Sequence, residues 1–195
     1  MQLLDMCETN FYQELKQIVF AKQALIQRLI YLKQIYAEAY LSAGVIRNLV
    51  WSSLHQQQYQ IENTEIDVIF FDENEQNQHI TQEIYEKLTQ KFPENDWDVV
   101  NQALVHTWYT TEKNQAISAY LSLYEALSTW PETATAIAVR LIEHDEMEII
   151  APFGLSDLFG LKLRWNDRLV SRDVFIQRLH SKRFLQRWEK LQIVD

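Results

Sequence analysis

Residues 65–72 read Glu-Ile-Asp-Val-Ile-Phe-Phe-Asp, an apolar run framed by acids. Its β-branched and aromatic side chains predict a β-strand. Because alternate residues of a strand share a face, we expect Glu65 and Asp67 to point to the same side of the sheet and Asp72 to the other. The apolar residues at positions 68–71 occupy both faces, which is typical of a strand that is covered on both sides.

Two carboxylates on one face of such a strand repel each other, and burying them without a partner is costly. A divalent cation at the strand end removes this conflict, because Mg²⁺ and Mn²⁺ prefer oxygen ligands and also bind substrate phosphates. The alternative is a solvated strand end that carries two surface acids. Residues 65–72 alone support the two interpretations equally, although a local break in patterning often marks function.

Composition limits the class of protein. The chain has 195 residues, 47% of them hydrophobic, which predicts one domain with a substantial core. A formal net charge of −9 argues against wrapping duplex DNA, although a local basic patch remains compatible with RNA or nucleotides. The single cysteine, Cys7, excludes an intramolecular disulfide and a cysteine zinc cluster. We see no membrane span and no signal peptide, and therefore expect a soluble cytoplasmic protein.

Hydrophobic periodicity predicts alternating helices and strands, and hence a sheet covered by helices. Residues 10–37 predict one long helix or two with a bend. The first half continues with a strand at 40–43, a helix at 45–54, the acidic strand, a helix at 80–92 and a strand at 97–102. The second half contains a helix at 119–127, a hairpin of strands at 136–142 and 147–151, a strand at 161–164, and a helix from Ser171 to about Trp188.

Three residues add to the acidic pair. Gly44 lies at a strand-to-helix turn, where free N–H groups at a helix N-terminus favour phosphate, and Arg47 in the first turn is placed to meet an anion. Asp98 is a third acid, near the start of a neighbouring predicted strand. A simple turn and an ordinary surface position are the alternatives for Gly44 and Asp98. His106 is a minor candidate, because a lone histidine is usually structural.

The last predicted helix is basic. It is either a solvated cationic face, which is the commoner case, or a site for an anionic substrate such as RNA. Its cations are Arg172, Arg178, Lys182, Arg183 and Arg187.

A glycine turn followed by acid-x-acid on the next strand resembles the minimal nucleotidyltransferase core of the DNA polymerase β superfamily. In that superfamily the turn holds a triphosphate, and the acid pair with a third acid binds two Mg²⁺ ions. More specifically, the chain resembles a bacterial nucleotidyltransferase-like family of uncharacterised function. The resemblance rests on residues 44–51, 66–72, 97–106, 130–140 and 151–159.

The resemblance implies an α/β (α+β) fold with a nucleotidyltransferase-type mixed sheet flanked by helices. It implies one domain over 1–195, with an N-terminal helical region at 1–37, a core with the metal-binding acids at 38–110, and a C-terminal sheet extension and helix at 111–195. It assigns catalysis and metal binding to Glu65, Asp67 and Asp98, and nucleotide binding to Gly44, Arg47 and Asn48. Polar turns add substrate-binding candidates, namely Glu132, Thr133, Arg140 and Asp157.

The expected reaction is metal-dependent transfer of a nucleoside monophosphate from an NTP to an acceptor hydroxyl, with Mg²⁺ or Mn²⁺. RNA is a weakly supported acceptor, a membrane is not expected as a partner, and the residues predict no oligomeric state. The alternative is a catalytically inactive nucleotide-binding or protein-interaction module on the same core. This alternative rests on two departures: Val45 follows Gly44 where the superfamily has Gly-Ser or Gly-Gly, and Asp98 sits early in its strand.

Overall fold

The computed structural model describes residues 2–195, with side chains from residue 8 onward apart from that of residue 145. The side chain of Cys7 therefore lies outside the described residues. The helices are α1 (Gln2–Ala21), α2 (Gln23–Ile35), α3 (Gly44–Leu54), α4 (His79–Lys91), α5 (Leu123–Leu127), α6 (Ser156–Phe159), α7 (Arg172–Ser181) and α8 (Phe184–Arg187). The strands are β1 (Tyr40–Ser42), β2 (Glu65–Phe70), β3 (Asp96–Asn101), β4 (Ala138–Leu141), β5 (Met147–Ile150), β6 (Lys162–Arg164) and β7 (Gln192–Val194).

The N-terminal segment forms two helices rather than one. The break falls at Lys22, which leaves the helical region with φ −95° and ψ 87°. The Lys22 ammonium donates a 2.5 Å hydrogen bond to the carbonyl of Tyr59, so a tertiary contact accompanies the bend that no Gly or Pro marks. Among the described residues, no helix is long and apolar enough to cross a membrane.

The first five strands form one mixed sheet in the order β3-β2-β1-β4-β5. β2 and β3 are parallel because α4 connects them as a crossover, whereas the other neighbouring pairs are antiparallel. The predicted α/β (α+β) class, with a mixed sheet flanked by helices, is confirmed. The division of the domain at residues 37 and 110 stays a prediction.

The two faces of this sheet are covered differently. On one face Ile66, Val68 and Phe70 are fully buried and join the main core, which also contains residues from α1 to α4. The other face carries Asp67 and Ile69 on β2. Here α5 and the irregular segments around it form two smaller apolar clusters and leave the Asp67 end of the face open.

The second half of the chain departs from the predicted elements in several places, one of which is the unpredicted helix α6. The helix predicted at 119–127 begins only at Leu123, because the Ser122 hydroxyl caps it by accepting from the Glu125 N–H. The helix predicted from Ser171 to Trp188 divides into α7 and α8, since Arg183 adopts a left-handed conformation at φ 53° and ψ 38°. The short β7 was not predicted, and it pairs in parallel with β6.

Candidate active site

Three acids form one cluster, which we call the carboxylate cluster: Glu65, Asp67 and Asp98. Parallel pairing sets Asp67 directly beside Asp98, and Glu65 shares their face because it lies two residues earlier on β2. One carboxylate oxygen from each residue lies within 4.8 Å of the other two. Three oxygen donors at this spacing match the ligand type and reach that Mg²⁺ or Mn²⁺ requires, so these residues fit a divalent cation.

The electrostatics of the cluster also favour a cation. Burial raises the pKa of Asp67, and the nearby Glu65 and Asp98 raise it further, while the Gly44 N–H and Arg47 act in the opposite direction. Burial and Glu65 likewise raise the pKa of Asp98. These carboxylates destabilise one another when ionised, and a bound cation would remove that penalty.

The predicted glycine turn lies against the cluster. α3 begins at Gly44, whose backbone N–H hydrogen-bonds Asp67. A Cβ at Gly44 would stand 3.7 Å from Asp67 Oδ2 and 3.8 Å from Arg47 Nη2, which are ordinary contact distances, so the turn lies directly between an acid and a base. Val45 is fully buried in the main core, so a hydroxyl at position 45 would not face this space. The turn residue in the unusual conformation is Ala43, at φ 52° and ψ −117°.

Arg47 is a buried cation beside the carboxylate cluster. It is 4% exposed, and its guanidinium donates to Thr135 Oγ1 at 2.8 Å and to Asn48 Oδ1 at 3.0 Å. The same group stacks 4.4 Å from the centre of the Phe184 ring. Burial lowers the pKa of Arg47 to about 10, so it stays protonated at neutral pH. Within the described part of the chain no carboxylate forms an ion pair with it, which leaves its charge available to an anion.

A cavity of about 570 Å³ joins the cluster to a basic wall, and we call it the charged cavity. Its basic wall consists of Arg47, Arg178, Lys182 and Arg187. Lys182 Nζ lies 3.8 Å from Glu65 Oε2, so the two walls approach each other at the rim. Three of the five cations of the last predicted helix, namely Arg178, Lys182 and Arg187, line this cavity. Their position supports an anion site rather than a solvated cationic face. Arg172 instead pairs with Asp195, at the chain end.

The four substrate-binding candidates lie outside the lining of the charged cavity. Glu132 is fully buried and holds Arg178 through a 2.6 Å ion pair, while its second oxygen has no hydrogen-bond partner in the described part of the protein. Thr133 donates to Asp157 at 2.8 Å. Arg140 pairs with Glu148 and Glu38, both at 2.5 Å, at a distance along the sheet from the cavity lining. Thr135, two residues beyond Thr133, lines the cavity and was not predicted.

His106 has a structural contact, as expected for a lone histidine: its Nδ1 lies 3.0 Å from the Ala103 carbonyl. The side chain is half-buried in the short 3-10 turn that follows β3. Trp108, two residues further along the chain, is exposed and lines a second cavity.

This second cavity, of about 260 Å³, opens on the other side of the carboxylate cluster. We call it the aromatic cleft, after Trp108, Tyr109, Tyr120 and Trp130 in its lining. Asp67 and Asp98 line both cavities, so the cluster stands between the basic wall and the aromatic cleft. No sequence pattern predicted this cleft, apart from the density of aromatic residues between 108 and 130.

Solved structures of known proteins share this fold. An NMR structure described as a CCA-adding enzyme head domain has 26% sequence identity and a TM-score of 0.76, covering 92% of this chain and 95% of that one. A CCA-adding enzyme in complex with CTP has 16% identity and a TM-score of 0.58, covering 93% of this chain and 43% of its own. The Thermotoga maritima CCA-adding enzyme with tRNA has 15% identity and a TM-score of 0.58, covering 93% and 42%.

The chain thus spans less than half the length of these two enzymes, and at their level of identity the likeness concerns the fold alone. No curated protein matches the chain in sequence. The profile of a family described as Nucleotidyltransferase matches residues 33–193, which is most of the chain. The protein therefore belongs to this nucleotidyltransferase family.

Proposed function

We propose that this protein transfers a nucleoside monophosphate from an NTP to an acceptor hydroxyl, with the help of Mg²⁺ or Mn²⁺. The observation that carries the proposal is the charged cavity, in which the carboxylate cluster faces Arg47, Arg178, Lys182 and Arg187. An NTP needs both walls, because its triphosphate binds cations while its reacting phosphate needs metal-binding carboxylates. Family membership supports the same reaction class.

The basic wall would hold the triphosphate. Arg47 is oriented by Thr135 and Asn48 and has no carboxylate partner at ion-pair distance in the described part of the chain, so it needs little reorganisation to meet an anion. Arg178 is held through its Nε by Glu132, which leaves its two terminal nitrogens for a ligand. Lys182 at the rim would pair with the phosphates instead of Glu65, a contact already long at 3.8 Å.

Glu65, Asp67 and Asp98 would hold the metal, which supplies charge neutralisation on the phosphates when it is bound. The acceptor oxygen then forms a bond to the α-phosphorus, the bond from that phosphorus to the bridging oxygen breaks, and pyrophosphate leaves. The acceptor proton passes to a carboxylate or to water. Asp98 lines both cavities, so its carboxylate lies where an acceptor hydroxyl would approach the reacting phosphate.

The similar NMR structure is described as a CCA-adding enzyme head domain, which supports chemistry on nucleotides. Glu132, Thr133 and Asp157 would act in this proposal by supporting the substrate-side wall through Arg178 and the adjoining turns. The ion pairs of Arg140 lie elsewhere, so the proposal gives this candidate no role. RNA stays a weaker proposal for the acceptor, because the chain carries a net charge of −9.

The proposal is tested with the full chain, each NTP separately, and Mg²⁺ or Mn²⁺. We expect pyrophosphate release that depends on the metal, and a loss of at least about 10³-fold in Asp67→Asn, because a required metal ligand and its charge are removed. Asp72→Asn is the matched control, since Asp72 follows the same strand but lies outside the carboxylate cluster. Its activity should stay within about twofold of wild type.

Binding is measured in parallel by equilibrium dialysis with labelled NTP. NTP binding without pyrophosphate release from any NTP and either metal would contradict the proposal and support the inactive nucleotide-binding module. Equal activity in Asp67→Asn and wild type would contradict the role of the carboxylate cluster.

A further inference from the structure

The aromatic cleft lies beside the reacting centre, and the function proposed above does not use it. Its floor is apolar and comes from the sheet, through Ile69 and Val100, which follow Asp67 and Asp98 on the same face. Trp108, at its mouth, is 60% exposed, whereas the other five tryptophans are buried or half-buried. An exposed indole beside an apolar floor offers a stacking surface for a flat ring.

Gln102 supplies a polar group inside this apolar cleft. It is 6% exposed and lines the cleft at the end of β3. In the described part of the protein its side-chain amide forms no hydrogen bond, and its polar atoms reach solvent. Because this amide meets only water in an apolar cleft, it can pair with a ligand that accepts and donates hydrogen bonds in one plane. The edge of a nucleobase has this property.

We propose that the aromatic cleft binds the base of a free nucleoside, and that a hydroxyl of this nucleoside is the acceptor. This inference rests on the proposed nucleotidyl transfer. The base stacks on Trp108 and pairs with the Gln102 amide, while the sugar points toward Asp98. Asp67 and Asp98 border both cavities, so a hydroxyl from the aromatic cleft and the α-phosphate in the charged cavity meet at the carboxylate cluster.

The charge of the lining distinguishes a free nucleoside from the end of a nucleic-acid strand. The lining of the aromatic cleft includes two carboxylates, and it includes no Lys or Arg. A strand would bring further phosphates into the cleft next to its terminal sugar, where no Lys or Arg of the lining would neutralise them. A nucleoside without phosphate avoids this penalty.

The reaction that follows joins two nucleosides through one phosphate. The nucleoside hydroxyl oxygen binds the α-phosphorus of the NTP, and its proton leaves to Asp98 or water. Pyrophosphate departs with the bridging oxygen, so the products are a dinucleoside monophosphate and pyrophosphate. No oxidant or further reactant is required.

The first test measures nucleoside binding without NTP and without metal, so that it does not depend on catalysis. Adenosine, cytidine, guanosine and uridine are titrated separately into the full chain by calorimetry. We expect at least one to bind, and Trp108→Ala and Gln102→Met each to weaken that binding by at least about fivefold. Leu121→Ala is the control, because Leu121 is 82% exposed and lies outside the cleft lining; its affinity should be unchanged.

The second test adds NTP and Mn²⁺ and follows pyrophosphate release with nucleosides or with short RNA oligonucleotides as acceptors. Stimulation by a nucleoside, reduced in Trp108→Ala, supports the proposal. Stimulation by oligonucleotides alone would overturn the free nucleoside as acceptor, and unchanged nucleoside binding in both cleft variants would overturn the binding site. If nucleosides bind in the cleft but no NTP yields pyrophosphate, the proposed transfer and the acceptor role fail together, while the nucleoside site stands.

Discussion

Strand β2 presents two faces that contribute to the protein in opposite ways. Ile66, Val68 and Phe70 are fully buried and pack into the main core. On the other face Asp67 stands beside Asp98, and the pKa of each carboxyl is raised by burial and by neighbouring acids. One face thus stabilises the fold, whereas the other holds charges that oppose it.

This difference shows how the domain tolerates an unfavourable cluster. The apolar face is continuous over the whole strand, so its burial offsets the repulsion that a functional site introduces on the opposite side. If this interpretation is correct, substitutions on the two faces should separate stability from activity.

The largest expected effect is on stability, from Phe70→Ala on the core face. Phe70 is fully buried and packs edge-on against Tyr36 at 5.2 Å between ring centres. We expect a loss of about 3–5 kcal/mol in the free energy of unfolding, because the substitution leaves a cavity. Urea unfolding measures it, with Phe20→Ala as the control, since Phe20 is 43% exposed.

Activity per folded molecule should stay within about twofold in Phe70→Ala. A large loss of activity in the fraction that remains folded would show that the two faces are coupled.

Arg47 is as deeply buried as a core residue, and Arg47→Lys tests whether it binds a ligand rather than stabilises the fold. Lysine cannot reproduce the planar contacts to Thr135 and Asn48 or the stacking on Phe184. We expect the dissociation constant for NTP to rise by about 10- to 100-fold, as measured by equilibrium dialysis.

Arg172→Lys is the matched control, because Arg172 pairs with Asp195 at the surface and does not line the charged cavity. An equal weakening of NTP binding in both variants would remove Arg47 from the proposed site.

Asp98→Asn should stabilise the metal-free protein while it weakens metal binding. A carboxyl with a raised pKa binds more protons in the folded than in the unfolded protein, so its ionisation lowers stability as pH rises through the folded pKa. Asp98 is exposed, so water screens part of the like-charge repulsion, and we expect a gain of at most about 1 kcal/mol at pH 7, or at most about 2–4 °C in Tm.

The gain should shrink as pH falls toward the ordinary value of 3.8 for an aspartate, because Asp98 then becomes neutral in the wild-type protein as well. Thermal unfolding of both proteins with EDTA, from pH 4.5 to pH 7, measures this difference. A variant that is less stable at every pH would show that Asp98 is structurally favourable. Added Mn²⁺ should raise Tm less in the variant than in the wild type.

The smallest effect concerns Ala43, at the turn between β1 and α3. Its φ of 52° and ψ of −117° favour glycine. We expect Ala43→Gly to stabilise the protein by about 0.5–1 kcal/mol, since relief of strain exceeds the entropy that glycine adds to the unfolded chain. Thermal unfolding reports the change.

Ala136→Gly is the control of opposite sign, because Ala136 has an ordinary φ of −76° and is 1% exposed. It should destabilise the protein by about 1 kcal/mol. If Ala43→Gly destabilised the protein to the same extent, the turn at residue 43 would store no strain.

Much of the site was predictable because it depends on local rules. The alternation of side chains placed Glu65 and Asp67 together and left Asp72 outside, and the strand-helix-strand order brought Asp98 to the neighbouring strand. The substrate-side candidates show the limit of this reasoning. Thr133 and Asp157 are predicted to bind substrate because they are polar residues in turns, but in the structure they form a hydrogen bond with each other.

The sequence alone determined the features that depend on neighbours along the chain: the acidic strand with its two faces, the glycine turn, and the class of fold. Only the tertiary structure decided which distant residues meet the carboxylate cluster. Arg178 reaches the charged cavity through its pair with Glu132, and Trp108 borders the aromatic cleft because the chain after β3 folds back over the sheet. Periodicity reports which face of an element is buried, but it carries no information on which remote element packs against that face.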